Sequence, residues 1–215
     1  MPNREQTVRF PSTGAHPVEL EGVLHLPGSD RYPAAIVCHP HPLYGGTMDN
    51  GVVVAIAQAL AARGVAALRF NFRGVGHSQG RFNGGAGETD DARGALAFLH
   101  AQGGVDPRRL YVVGYSFGAW VGLRCADEAQ LAGVVAVAPP LLVLPHEGLL
   151  RDFIGPRCFI VADRDQFCSI ERLRAFVATL SPPVEVKVVH GADHFLWGHE
   201  EEAVSYTHLT LPTKA

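Results

Sequence analysis

The 215 residues suit one domain with room for a substantial core, and 47% apolar with 18% charged residues is the composition of an ordinary globular protein. A formal net charge of −3, with no polybasic arm, excludes a basic nucleic-acid surface, and no apolar run is long enough to span a bilayer. There is no signal-peptide core after Met1, and Cys38, Cys125, Cys158 and Cys168 have no metal-ligand or C-x-x-C spacing, so a cytoplasmic, reduced, metal-free protein is expected.

Residues 7–10 read as a first strand. After a turn, Val18, Leu20, Leu24 and Leu26 alternate with Glu19, Glu21 and His25, the pattern of a half-exposed strand in an antiparallel hairpin. Residues 34–38 are continuously apolar, as expected of a strand covered by helices on both faces. A loop carrying His39, Pro40, His41, Pro42 and Leu43 follows, and Asn50 then caps a predicted helix that Gly64 stops. Residues 65–70 form the next buried strand, followed by a loop over 71–78. Glu88, Thr89, Asp90 and Asp91 supply acids and a cap to a helix with Ala92, Ala95, Leu96 and Leu99 on one face, and they are read as serving its N-terminus rather than catalysis. Strands over 109–113, 133–138 and 157–162 come next, the last two separated by an irregular, leucine-rich segment over 139–153. Ser169 caps a further helix, and Val184, Val186 and Val188 alternate with Glu185 and Lys187 in a final strand near a sheet edge. Alternating strands and helices imply a mostly parallel sheet with right-handed crossovers and helices on both faces.

Gly114-Tyr115-Ser116-Phe117-Gly118 lies between the strand over 109–113 and an apolar, helix-compatible run. G-x-S-x-G in a strand–turn–helix context is a nucleophile elbow, in which a sharp turn lifts a serine hydroxyl above the sheet edge and small neighbours let strand and helix nearly touch. The chain order of such a site is serine, acid, histidine. Asp163 and Asp165 follow the strand ending at Ala162, and His194 follows the last strand. All lie past strand carboxyl ends, the edge where open α/β sheets bind ligands. His194 would take the proton of Ser116 during attack, and a carboxylate would fix its tautomer. His190 is read as structural and Asp193 as a turn residue. Phe117, the residue after the nucleophile, offers one backbone N–H to an oxyanion. The second must come from His41, Leu43 or a neighbour, since Pro40 and Pro42 have no N–H. A metal-binding role for His39 and His41 is disfavoured because no third ligand is in evidence.

The motifs H-P-H-P-L-Y-G-G-T-M-D-N from His39, R-F-N-F-R-G-V-G from Arg69, G-Y-S-F-G from Gly114 and G-A-D-H-F from Gly191 resemble those of the small bacterial α/β-hydrolase superfamily, related to the dienelactone-hydrolase and serine-esterase branches. The likeness runs over about residues 7–202. It implies an α/β-hydrolase fold with an N-terminal antiparallel hairpin and a minimal cap, a serine hydrolase needing no cofactor. It makes Ser116 the nucleophile, Asp165 the acid, His194 the base, and the backbone N–H groups of His41 and Phe117 the oxyanion donors. Ala162, where the family usually has glycine, is one departure. The other is the C-terminal stretch from Val204 (V-S-Y-T-H-L-T-L-P-T), which resembles a translated sequencing-adapter end. A single domain over 1–203 with a non-native tail over 204–215, lacking a matched surface to cover, is the expectation.

The leading reading is a serine esterase cleaving a carboxylic ester or related acyl bond of a small molecule through an acyl-Ser116 intermediate. Leu43, Phe167 and Phe195 are candidate pocket residues, with Phe117 and residues 141–144 as further candidates and Trp120 assigned to core packing. A peptidase or amidase would use the same triad, and a non-catalytic α/β-hydrolase-fold binding protein is the alternative outside catalysis. Monomer and homodimer are left open.

Overall fold

The computed structural model describes residues 4–126 and 131–207. Its strands are β1 (Arg4–Pro11), β2 (Glu19–Leu26), β3 (Tyr32–Cys38), β4 (Ala66–Phe70), β5 (Val105–Tyr115), β6 (Gly133–Val137), β7 (Arg157–Ala162) and β8 (Val184–Val189). Its helices are α1 (Gly51–Ala62), α2 (Ala86–His100), α3 (Phe117–Ala126), α4 (Ile170–Val177) and α5 (Glu200–Thr207). The strands form one sheet in the order β1-β2-β4-β3-β5-β6-β7-β8. β2 pairs antiparallel with both β1 and β4, and every pairing from β4 through β8 is parallel.

The apolar run of β3 is explained by its two covered faces. Ala35 and Val37 pack with Val53, Ile56 and Leu60 of α1, whereas Ala34, Ile36 and Cys38 pack with residues of α2 and α3. α1 and α5 share one face of the sheet, and α2, α3 and α4 lie on the other. Asn50 caps α1 by accepting from Val52 N, and Ser169 caps α4 by accepting from Arg172 N, each satisfying one of the orphan first-turn donors of a helix. The connection from β6 to β7 contains turns but no helix or strand. Trp120 on α3 pins it by donating its indole N–H to Pro145 O at 2.6 Å. Among the described residues no helix is long and apolar enough to cross a membrane.

β2 departs from the half-exposed strand its alternation suggests: Glu21 and His25 are buried. The reason is long-range. The loop after β4 folds over this part of the sheet, and Glu21 accepts from Asn71 Nδ2 at 2.6 Å and from His77 N at 2.7 Å. His25 Nε2 accepts from Arg69 Nε at 3.0 Å. The acids at the start of α2 also do more than cap. Glu88 accepts from Gly85 N and Asn83 N within the capping turn. Asp91, fully buried, binds Arg73 of the post-β4 loop through Nε, Nη2 and its backbone N–H.

The packing does not stop at Val204. α5 runs through that position, with Val204 in the core cluster of α1 and Thr207 buried. The last turn of α5 is therefore packed where no covered surface was expected, and residues 208–215 of the expected tail lie outside the described residues. Returning a buried valine side chain to water costs about 1.5 kcal/mol, or about 3–6 °C in a chain of this length. Deleting residues from Val204 onward is expected to lower the thermal midpoint by that amount in differential scanning calorimetry; an unchanged midpoint would show that the turn contributes no packing.

Candidate active site

β5 ends at Tyr115 and α3 begins at Phe117, leaving Ser116 alone to turn the chain. It does so at φ 54°, in the left-handed region a non-glycine residue seldom occupies. Ser116 N donates to Val137 O at 2.8 Å, and Ser116 O accepts from Ala119 N and Trp120 N, so the strain is held from both sides. A side chain at Gly114 would strike the backbone of Gly118 and Ala119, and one at Gly118 would strike the carbonyls of Cys38 and His39. The two glycines thus let β5, α3 and the end of β3 meet.

On this turn Ser116 Oγ lies 2.8 Å from His194 Nε2. His194 Nδ1 lies 2.9 and 3.0 Å from the two carboxylate oxygens of Asp165. With Asp165 ionised, Nδ1 carries the proton and Nε2 is left to accept from the serine hydroxyl. Asp165 is fully buried at its side chain, and Oδ1 also accepts from Phe167 N at 2.8 Å and Cys168 N at 3.0 Å. A buried carboxylate with this many donors is satisfied and oriented. Asp163 goes elsewhere: it accepts from Gly191 N at 2.9 Å and pairs with His190 Nδ1 at 3.2 Å. It bridges to the loop after β8. Asp193 closes the turn of that loop, its side chain accepting from Phe195 N.

His41 and Phe117, whose N–H groups are the expected oxyanion donors, come side by side with ring centroids 4.8 Å apart. Phe117 N is a first-turn amide of α3 and has no intrahelical acceptor. Of the expected pocket residues, Phe167 sets its ring edge-on to His194 at 4.7 Å, Phe195 lies 5.7 Å from the same imidazole, and Leu43 is exposed on the turn after β3. Trp120 is buried in the core.

Three contributors escape a reading of the sequence. Tyr115 donates its hydroxyl to His194 O at 3.0 Å, and burial pushes its pKa up, so it stays a donor. Gln166 Oε1 accepts from His194 N at 3.4 Å. Phe82, from the loop between β4 and α2, packs on both His41 and Phe117. Adjacency to Ser116 was the one available signal for Tyr115; Phe82 had none. Cys168, beside Asp165, is held as an unreactive thiol, because burial and the Asp165 charge push it up to about 12.

His39 is a staple. Its Nε2 accepts from Phe72 N at 3.1 Å, so Nδ1 carries the proton and donates to Pro40 O at 2.6 Å. With both ring nitrogens engaged and the ring buried, it ties the loop after β3 to the loop after β4. Among the described residues no group of three or more His, Cys, Asp or Glu side chains is placed to hold a metal.

A family model described as alpha/beta hydrolase domain matches residues 36–209. An uncharacterized protein of Rickettsia prowazekii is 34% identical over 192 residues, 85% of this chain and 80% of that one. Some other curated relatives are longer, with 52% to 60% of their length matched. A solved structure described as an alpha-beta serine hydrolase homologue from Coxiella burnetii is 35% identical with a TM-score of 0.83, covering 97% of each chain. Another, from Xanthomonas campestris and described as an a/b serine hydrolase without lid, is 29% identical with a TM-score of 0.83 over 98% of this chain and 97% of that one.

Burial, opposed by the hydrogen bond to Pro40, lowers the His39 pKa from 6.5 to about 4. Between those values the unfolded chain binds a proton the folded chain refuses, so stability is full above pH 6.5 and declines as pH falls towards 4. His39 alone is expected to account for a loss of about 3 kcal/mol across that window. Urea titrations at several pH values check this: His39→Gln should flatten the decline relative to the parent, and parallel curves would refute the assignment.

Proposed function

The chain belongs to the alpha/beta hydrolase domain family, and on that premise we propose that it is a serine hydrolase of carboxylesterase type. It cleaves an ester or related acyl bond of a small molecule through an acyl-Ser116 intermediate. The observation that carries this is the continuous chain from Ser116 Oγ through His194 to buried Asp165 on a strained elbow.

In the proposed reaction Ser116 Oγ attacks the carbonyl carbon as His194 Nε2 takes its proton. The carbonyl oxygen gathers negative charge, which the N–H groups of His41 and Phe117 receive in a site built before substrate arrives. The tetrahedral species collapses with cleavage of the C–O bond. The electron pair goes to the alcohol oxygen, which leaves with the proton from His194. Water then repeats the sequence, giving one proton to His194 and its oxygen to the acyl group, and Ser116 regains its proton as the acid departs. Asp165 holds the imidazole tautomer and steadies the imidazolium in both halves. The β6–β7 connection carries no cap helix, which, as in the lidless neighbour, favours an open site that small esters reach directly.

Purified protein is expected to label with a fluorophosphonate probe and to turn over simple acyl esters, with both lost in Ser116→Ala. Asp165→Asn should cut kcat by about 10⁴, by the tautomer argument known for serine proteases, whereas Asp163→Asn should act mainly through stability. Ester turnover surviving in Ser116→Ala would sink the mechanism. An unlabelled, inactive parent protein would point to a binding role, and turnover of amides in preference to esters would make it an amidase.

A further inference from the structure

The large exposed apolar side chains are not spread evenly. Leu43, Tyr44, Leu142, Val143, Phe195 and Trp197 all sit on loops leaving the carboxyl ends of β3, β6 and β8, the edge that carries Ser116; Ile154, next to the start of β7, lies at the opposite edge. Two of them form a unit. Phe195 and Trp197 stack with centroids 5.3 Å apart and planes within 23°, although Trp197 is 76% exposed. The buried partners of His194 do not explain this stack, which faces water.

The chemistry of leaving-group departure assigns a side to it. Nδ1 of His194 is occupied by Asp165, so Nε2 alone can protonate the departing oxygen. That oxygen must come within hydrogen-bond reach of Nε2, and its substituent then lies against the flank of the imidazole. Tyr115, stacked on the ring at 6.2 Å, is buried and closes one flank. Phe167 lies edge-on to the ring at 4.7 Å, and Phe195, 5.7 Å from it and part-exposed, leads outward to Trp197. The carbonyl oxygen belongs on the other side of the serine, with His41 and Phe117.

We propose that Phe195 and Trp197 form the leaving-group subsite and that it takes a flat, apolar alcohol moiety of the arylmethanol kind in preference to a small alkanol. This deepens the serine-hydrolase reading above and rests on it. No further step is added: the arylmethyl C–O oxygen receives the bond pair and the His194 proton as before, and the ring slides onto the exposed aromatic face.

Ethyl, benzyl and naphthylmethyl esters of one acid test it, because their alcohols are of similar acidity and all three yield the same acyl-enzyme. In the parent protein kcat/KM is expected to rise with ring size. Trp197→Ala should reduce the naphthylmethyl-to-ethyl ratio by about fivefold, the worth of one aromatic stack, while Trp197→Phe keeps most of it. Ile154→Ala, which trims an exposed side chain at the far edge, should leave the ratio alone. Ester turnover that depends on Ser116 but shows no rise with ring size, or a ratio indifferent to Trp197→Ala, overturns the subsite and leaves the hydrolase reading standing. Failure of all three esters together with no fluorophosphonate labelling removes the hydrolase reading and the subsite with it.

Discussion

The left-handed backbone of Ser116 costs on the order of 1–3 kcal/mol, and a strain of that size persists only where surrounding structure over-determines it. Here β6 holds the serine N–H, α3 begins on its carbonyl, and the two glycines of the elbow allow β5, α3 and the end of β3 to meet at van der Waals distance. That close meeting does more than aim a hydroxyl. It brings the loop after β3 against the first turn of α3, so His41 and Phe117 become neighbours although 76 positions separate them in the sequence (117 − 41). The proposed nucleophile and oxyanion donors therefore rest on one packing arrangement.

The loops at this edge are irregular backbone under partial burial, and buried N–H and C=O groups need partners. Besides backbone bonds such as Asn71 N to Glu21 O, they find them in side chains. His39 serves Phe72 N and Pro40 O, Glu21 serves Asn71 and His77, and Asp91 serves Arg73. Each of these groups pays a desolvation cost, visible for His39 in its depressed pKa, and each fixes a loop that borders the site. Burying titratable groups beneath the rim is thus how the protein holds irregular segments still.

The histidine is held from several directions. Tyr115, next to Ser116, reaches its carbonyl; Asp163 grips the start of its loop at Gly191; Gln166 and Asp165, on the loop after β7, take its backbone and its ring. In the proposed reaction a base held in this way is already in its working geometry, which avoids the entropy of ordering it later. The outer side of the same loop is left free to carry Phe195 and Trp197 in water.

What the sequence determined alone is what short-range physics encodes. Strand and helix positions follow from periods of two and 3.6, caps from Asn50 and Ser169, and the elbow from glycines flanking a serine between a strand and a helix. A histidine after the last strand had to arrive at the same edge because parallel strands all end there. The tertiary structure decided the rest. It brought Asp165 to the imidazole and sent Asp163 to Gly191, two acids of the same type two positions apart. It buried Glu21 and His25, whose alternation looked solvent-facing, and it packed Val204 on the core although no covered surface was expected there. These outcomes turn on partners tens of residues distant, 50 positions from Glu21 to Asn71 and 78 from Ser116 to His194. Local dihedral preference and hydrophobic period extend over a turn or two of chain and carry no information about which loop folds over which strand.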